Sequence, residues 1–199
     1  LYELIRWMSQ ARLEGNPAEA DAVAAFESIW QDRGPQGHAF TDDYRRLASR
    51  LVGALVRSGA GRRFQQSEPL AIDFPNGRVV VEPNERAETL DGKVVLRRVR
   101  TGYRTQREYD GLEYTLYRLA GEVHFKDGFV VEALHLTDGV MEFVELSDEK
   151  FDNRRDETQI MLSGIKAGDF PTEIDAVTCP RCPHFFICPA TPNGSLDLS

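Results

Sequence analysis

The spacing of apolar residues changes near residue 60, and this change constrains the fold more than any other feature of the chain. Before it, apolar residues recur three and four apart, with interruptions at Gly15-Asn16-Pro17 and Gly34-Pro35-Gln36-Gly37. This spacing predicts three helices, the third of which Thr41 is expected to cap. The buried face of that third helix is expected to be a single stripe of residues: Tyr44, Leu47, Ala48, Leu51, Val52 and Leu55.

After residue 60 apolar and polar residues alternate, which is the period of a β-strand. Three such stretches are separated by turn signals, and they lie at 69–74, 77–81 and 93–100. Helical spacing returns at 108–123. Two further strands, at 129–136 and 141–146, precede a final helix that Ser147 is expected to cap.

The order of these elements predicts an α/β fold with a mixed central β-sheet flanked by helices. We expect a helical subdomain at 1–60, an α/β core at 61–175, and a cysteine segment with a polar tail at 176–199. A chain of 199 residues is long enough for one such core with a helical addition.

The three cysteines of the chain lie close together, as Cys179, Cys182 and Cys188. Thiolate sulfur at the spacing C-x2-C-x5-C is typical of iron–sulfur clusters and of structural zinc sites. Both kinds of site need four ligands, and His184, between the second and third thiols, is poorly placed to be the fourth. Three interpretations stay open: thiols that hold no metal, zinc held by three cysteines and a histidine, or an iron–sulfur site whose fourth ligand lies outside this chain. The isolated histidines are expected to be surface or core residues rather than ligands: His38, His124 and His135.

Composition and charge narrow the function classes. No apolar run approaches the roughly 18 residues of a membrane span, and cysteines in a metal-like cluster favour the cytoplasm. No Walker A pattern is present, so ATP hydrolysis is not expected in this chain. The net charge is −8, yet residues 41–107 carry 14 Lys or Arg against 8 Asp or Glu. This distribution permits one confined face that contacts nucleic acid and argues against a surface that binds it everywhere.

Three features, in this order along the chain, resemble the PD-(D/E)XK nuclease domain of the RecB/AddB kind, which occurs at the C-terminus of UvrD-like helicases. The first is the strand that ends in Arg98-Val99-Arg100-Thr101-Gly102, where the family has Asp-x-Lys-Thr-Gly. The second is the following helix, in which Glu113 and Tyr117 stand where the family has Gln-x-x-x-Tyr. The third is the cysteine pattern. The resemblance covers about residues 41–190 and implies a restriction-endonuclease-like core.

In this family an Asp on one strand and an Asp or Glu on the next hold Mg²⁺ or Mn²⁺, and a Lys two residues later orients the attacking water. The resemblance assigns the first carboxylate to Glu85, the second to Arg98 and the lysine to Arg100. Arginine stays protonated in proteins, and two unit charges ~4 Å apart repel by about 4 kcal/mol at an effective dielectric constant of about 20. We therefore predict no magnesium site and no phosphodiester hydrolysis at the degenerate positions Glu85, Arg98, Arg100, Glu113 and Tyr117.

Two roles remain for the arginines. They either form a structural ion-pair network with Glu85 and Glu113, or present their guanidinium groups to DNA phosphates. In the second case the DNA-binding set would be Arg98, Arg100, Arg104 and Arg107.

The resemblance implies a catalytically inactive nuclease-like domain of a bacterial UvrD-type helicase, with a DNA-guiding or structural role in DNA repair or recombination. Its partners would be DNA, as single strands or duplex ends, and the motor domain of the parent helicase. The three cysteines would hold a [4Fe–4S] cluster together with a fourth cysteine outside this chain. One alternative is an active metal-dependent exonuclease in which Glu85 is joined by other carboxylates, such as Glu82, Glu88 or Glu113. A second alternative is a zinc-stabilised interaction module.

Overall fold

The computed structural model describes residues 1–105 and 108–169, together with Cys179 and Cys182. The helices of the described part are α1 (Tyr2–Ala11), α2 (Glu19–Arg33), α3 (Thr41–Arg57), α4 (Leu112–Phe125) and α5 (Asp148–Ala167), with one 3-10 turn at Glu108–Asp110. The strands are β1 (Arg63–Gln65), β2 (Leu70–Phe74), β3 (Gly77–Val81), β4 (Glu85–Glu88), β5 (Val94–Arg100), β6 (Phe129–His135) and β7 (Val140–Phe143).

Five of these strands form one sheet, in the order β1-β4-β5-β6-β7. Strands β5 and β6 are parallel, and α4 connects them; the other neighbours in the sheet are antiparallel. The remaining two strands form a separate antiparallel hairpin, β2-β3. The expected α/β fold with a mixed central sheet and flanking helices is therefore confirmed.

Each face of the sheet is covered by a different group of elements. Val99 and Leu134 pack against residues of α1, α2 and α3, which form the layer on one face. Leu96 and Val131 pack on the other face, against α4, the β2-β3 hairpin and the first turn of α5. Because side chains alternate along a strand, β5 contributes to both layers and is buried on both faces.

The predicted buried stripe of α3 is only partly buried. Its C-terminal part, from Ala48 onward, lies in the core, but Tyr44 is 48% exposed and Leu47 is 50% exposed. The periodicity identified the correct face of the helix, whereas the extent of the covering layer depends on where α1 and α2 lie. The ring of Tyr44 instead contacts the ring of His38, with 5.4 Å between their centroids.

Strands β1 and β4 were not expected as strands. Both are short and rich in charged residues, with two Glu and one Arg among the four residues of β4. Their apolar content is too low for the alternation rule to detect them. The cap of the last helix was expected correctly, because the Ser147 hydroxyl accepts from the Lys150 backbone N–H. None of the helices in the described ranges has the length and apolar character that a membrane span requires.

Candidate functional site

The pairing register of β4 and β5 decides which charged residues share a face of the sheet. Glu85 lies directly opposite Arg97, and Arg98 lies beside Ala133 of β6. Continued by one residue, the same register places Asn84 opposite Arg98. The Asn84 side-chain oxygen accepts from the backbone N–H of Val99 at 2.8 Å, which fixes Asn84 at that level.

This register corrects the assignment of the first carboxylate. Glu85 and Arg98 lie on opposite faces, since a shift of one residue reverses the direction of a side chain on a strand. The residue of the neighbouring strand segment that shares the face of Arg98 and Arg100 is therefore Asn84, a neutral amide. The expected ion pair between these arginines and Glu85 is wrong for the same reason.

Glu85 belongs instead to a buried chain of alternating charges that crosses the sheet at one level. Its two carboxylate oxygens bind Arg12 and Arg97, the second at 2.8 Å. Arg97 also binds Glu132 of β6 through Nε at 2.6 Å, and Glu132 binds Arg62 at 2.6 Å. The four inner side chains of this ionic chain are at most 1% exposed.

Arg12 connects the helical layer to this ionic chain. It stands immediately after α1, and its guanidinium donates to the backbone oxygens of Leu55 and Val56 and to the Ser58 hydroxyl at the end of α3. Burial lowers the pKa of Arg12, while the adjacent carboxylate of Glu85 opposes that effect. The guanidinium also lies over the ring of Phe64, 4.5 Å from its centroid. The carbonyl groups and the carboxylate together compensate a charge that burial alone would make very unfavourable.

On the opposite face, Arg98 and Arg100 are both bound by Glu113 of α4. Arg98 makes a direct ion pair with one carboxylate oxygen, and Arg100 lies 3.5 Å from the other. Arg100 also binds Glu108 at 3.1 Å. The expected pairing with Glu113 is thus present. The side chain of Arg98 is 24% exposed and that of Arg100 is 38% exposed, so this cluster lies at the rim of the fold rather than in its interior.

Aromatic side chains pack beneath this arginine–glutamate cluster. Tyr117 is buried, and its hydroxyl donates to the backbone oxygen of Glu82 at 3.3 Å. Burial raises the pKa of Tyr117, as it does for Tyr114. His135 is fully buried and its Nε2 lies 3.2 Å from the Tyr109 hydroxyl, which is the environment of a core histidine. These groups form the buried floor beneath the cluster, while the cluster itself is partly exposed.

The remaining members of the expected DNA-binding set lie apart from this cluster or outside the described residues. Arg104 pairs with Glu142 at 2.8 Å, and its backbone N–H donates to Asp138 at 2.9 Å. Arg104 is therefore tied to the β6-β7 turn rather than extending a row of available cations. Arg107 lies outside the described residues.

Two of the three cysteines are described. The backbone N–H of Cys182 donates to the carbonyl of Cys179 at 3.1 Å, so these two residues lie close together. Cys188 lies outside the described residues. Among the residues that the structure describes, no group of three or more His, Cys, Asp or Glu side chains is arranged to hold a metal ion.

Sequence reasoning missed the residues of the buried ionic chain and the position of Asn84. One signal was available: Glu132 is the only acidic residue in the otherwise largely apolar strand Phe129–His135. A buried charge requires a partner, but nothing in the sequence identified Arg97 or Arg62 as that partner. The register that selects Arg97 rather than Arg98 is a tertiary feature.

A scan against models of known protein families gives no match to this chain, and a search of the curated proteins gives no match either.

Proposed function

We propose that this chain is a nuclease-like domain in which arginine–glutamate pairs occupy the place of the metal centre, and that it acts as a DNA-guiding or structural module beside a UvrD-type helicase motor. The observation that carries the proposal is the position of Arg98. It stands opposite Asn84 on the neighbouring strand and is bound by Glu113 from α4. A metal centre on these two strands would need two carboxylates at this level. The chain has the amide of Asn84 and the guanidinium of Arg98 instead.

Electrostatics oppose a divalent cation at this position. A dication ~4 Å from one guanidinium is repelled by about 8 kcal/mol at an effective dielectric constant of about 20. The guanidinium of Arg100 repels it as well. Glu113 cannot offset both, because it is already shared by the two arginines. The site is therefore suited to structural ion pairing or to phosphate contact, and not to metal-assisted hydrolysis.

The alternative of an active exonuclease requires carboxylates that are available to a metal. Glu85 and Glu113 are each bound by two arginines. Glu88 accepts a hydrogen bond from Gln65 at 3.0 Å. Glu82 alone of the four makes no ion pair or side-chain hydrogen bond within the described residues, and one carboxylate is too few to hold Mg²⁺.

Restoring the carboxylates tests the origin of the site. The triple variant Asn84→Asp, Arg98→Asp, Arg100→Lys places two acids and a lysine where the register makes them share a face. We expect this variant to bind about one Mn²⁺ per chain, at least about tenfold more tightly than the unsubstituted protein, because two adjacent carboxylates replace two cations. Isothermal titration calorimetry with MnCl₂ measures this change.

The matched control is the double variant Arg98→Asp, Arg100→Lys, which keeps Asn84 and Glu85. It should bind Mn²⁺ more weakly than the triple variant, since Glu85 lies on the other face. Equal affinity of the two variants would exclude Asn84 from the site. A folded triple variant, judged by its near-ultraviolet circular dichroism, that binds no Mn²⁺ would overturn the proposed relation to a metal centre.

A salt series with single-stranded DNA distinguishes a guiding role from a structural one. Each phosphate contact contributes about −0.7 to the slope of log K against log salt for a single strand. If the arginines contact phosphates, the variant Arg98→Gln, Arg100→Gln should lower the slope by about 1.4 in magnitude. An unchanged slope would leave these arginines with the structural role alone.

The cysteine segment is part of this proposal. Cys179, Cys182 and Cys188 are the residues that would hold a [4Fe–4S] cluster, which would supply structural cross-linking rather than chemistry at Arg98. Elemental analysis of anaerobically purified protein separates this assignment from the zinc-stabilised module: iron supports the former, and one equivalent of zinc without iron supports the latter.

A further inference from the structure

A polar cleft of about 330 Å³ lies between α1 and two irregular segments, 66–69 and 82–84, which connect the β2-β3 hairpin to the main sheet. The α1 side of the cleft includes Tyr2 and Gln10, and the opposite side includes Gln66 and Asn84. Its volume is at the lower end of the range of small-ligand pockets. The cleft reaches Asn84, but its lining does not include the arginine–glutamate cluster.

The walls of this cleft are fixed by hydrogen bonds. The Ser67 hydroxyl donates to the backbone oxygen of Pro83 at 2.9 Å and so joins the two irregular segments. The Tyr117 hydroxyl donates to the backbone oxygen of Glu82 and so fixes the second segment. The oxygen of the Asn84 amide is occupied by the N–H of Val99, which leaves its NH₂ group as a donor. The cleft is therefore preformed and needs little ordering when a ligand enters.

Apart from Ser67, most polar side chains that line this cleft make no hydrogen bond or ion pair within the described residues, in contrast to those of the arginine–glutamate cluster. Within the described part of the chain, the side chains of Ser9, Gln10 and Gln66 make no hydrogen bond. The charged side chains that line the cleft, Arg6, Glu68 and Glu82, make no ion pair within the same ranges. Arg62, Arg97, Arg98 and Arg100 beside the sheet are, by contrast, all paired. Neutral and charged hydrogen-bonding groups are thus available to a ligand in this cleft.

The chemistry of the lining matches the edge of a nucleobase. Amide side chains form paired hydrogen bonds with bases, and carboxylates accept from exocyclic amino groups. Tyr2 is 63% exposed, and Arg6 lies over its ring at 5.9 Å, so an aromatic face stands at the rim of the cleft. One arginine against two glutamates makes the lining unfavourable for a phosphate but not for a neutral planar base.

From this geometry we infer that the cleft binds one unpaired base of a single-stranded DNA, with the base stacked on Tyr2 and its edge bonded to Gln10, Gln66 and Asn84. The inference rests on the DNA contact of the proposed function and adds a base-binding subsite to it. Because the subsite takes the base and not the phosphate, it contributes affinity that does not depend on salt.

Fluorescence anisotropy with an oligodeoxyadenylate of about 12 nucleotides tests this inference, because adenine carries the exocyclic amino group that amides and carboxylates recognise and because this length matches common single-strand site sizes. Tyr2→Ala should weaken binding at least about fivefold, because loss of one stacked base has effects of this order. The factor should be the same at about 50 and about 200 mM salt. Gln66→Ala should also weaken binding, because it removes one of the side chains proposed to bond the base edge. Tyr103→Ala is the matched control, because Tyr103 is 74% exposed and lies outside the cleft.

A second probe separates failure of this inference from failure of the proposed function. An oligonucleotide of equal length with abasic sites keeps the phosphates but lacks the bases, and we expect it to bind at least about fivefold more weakly. If the protein binds both probes equally and Tyr2→Ala has no effect, the cleft is not a base site, while the phosphate contact stands. If neither probe binds, both the base site and the DNA-guiding role are overturned.

Discussion

Gly121 lies in the middle of α4, where the absence of a side chain admits the ring of Phe129. A Cβ atom at this position would overlap the ring. In an open helix Gly→Ala stabilises by about 1 kcal/mol, but overpacking of a core costs about 1–3 kcal/mol. We therefore expect Gly121→Ala to lower the free energy of unfolding by about 1–2 kcal/mol, measured by urea denaturation. Phe129→Leu in the same chain should restore most of the loss; no restoration would mean that the clash is not with this ring.

Lys126 ends α4 with φ of 56° and ψ of −123°, and it is the only non-glycine residue with positive φ in the described ranges. A side chain in such a region costs about 1–3 kcal/mol, while glycine costs about 0.5–1 kcal/mol through the unfolded chain. We therefore expect Lys126→Gly to raise the free energy of unfolding by about 1 kcal/mol.

Thermal denaturation with Lys126→Ala as the control checks this prediction. Alanine removes the same ammonium group but keeps the Cβ atom, so it should give no gain. An equal gain from alanine and glycine would point to the charge and not to the backbone.

The pairing register departs from the prediction by one residue at Glu85. The segment Asn84-Glu85 lies beside the strand that ends at Arg100, but Glu85 does not share a face with Arg98 and Arg100 as predicted. On a strand that difference moves a side chain through the sheet, from the rim cluster to the buried ionic chain. A carboxylate such as Glu85 is a typical metal ligand and is therefore selected from sequence. The amide of Asn84, which lies opposite Arg98, is not.

At the scale of elements, α3 shows what periodicity can and cannot predict. The apolar stripe of this helix continues past the layer that covers it, so that Leu47 is 50% exposed and Leu51, one turn later, is 5% exposed. Both leucines satisfy the same sequence pattern. The helix and its face follow from local spacing, but burial depends on the position of elements that are distant in sequence.

These two leucines form a matched pair for experiment. Leu51→Ala removes a fully packed side chain and should cost about 2–5 kcal/mol of unfolding free energy. Leu47→Ala removes a half-exposed one and should cost less than about 1 kcal/mol. Urea denaturation of both variants measures the difference. Equal losses would indicate that Leu47 is covered in solution, by another molecule or by another part of the protein.

At the scale of the molecule, the class of fold was predictable because it depends on the order of helical and strand periods. The polar part of the attachment between the helical layer and the sheet was not predictable, because it consists of the buried ionic chain from Arg12 to Arg62, which lies beside the apolar contacts of Val99 and Leu134. Three arginines and two glutamates from five separate parts of the sequence meet in this ionic chain. The pairing register of the strands and the position of Arg12 at the end of α1 decide which residues pair. Neither of these features produces a recognisable pattern in the local sequence.

Removing the charge of Glu85 tests how much the buried ionic chain contributes to the free energy of unfolding. Glu85→Gln is nearly isosteric but leaves Arg12 and Arg97 facing each other across a neutral amide. A broken buried pair typically costs about 3–5 kcal/mol, a large part of the stability of a small domain, and we expect a loss of that size by urea denaturation. Glu122→Gln is the control, because Glu122 pairs with Arg118 at 3.0 Å on an exposed helix surface and should cost less than about 0.5 kcal/mol. A loss below about 1 kcal/mol for Glu85→Gln would mean that water reaches the two guanidinium groups, and that apolar packing alone holds the helical layer on the sheet.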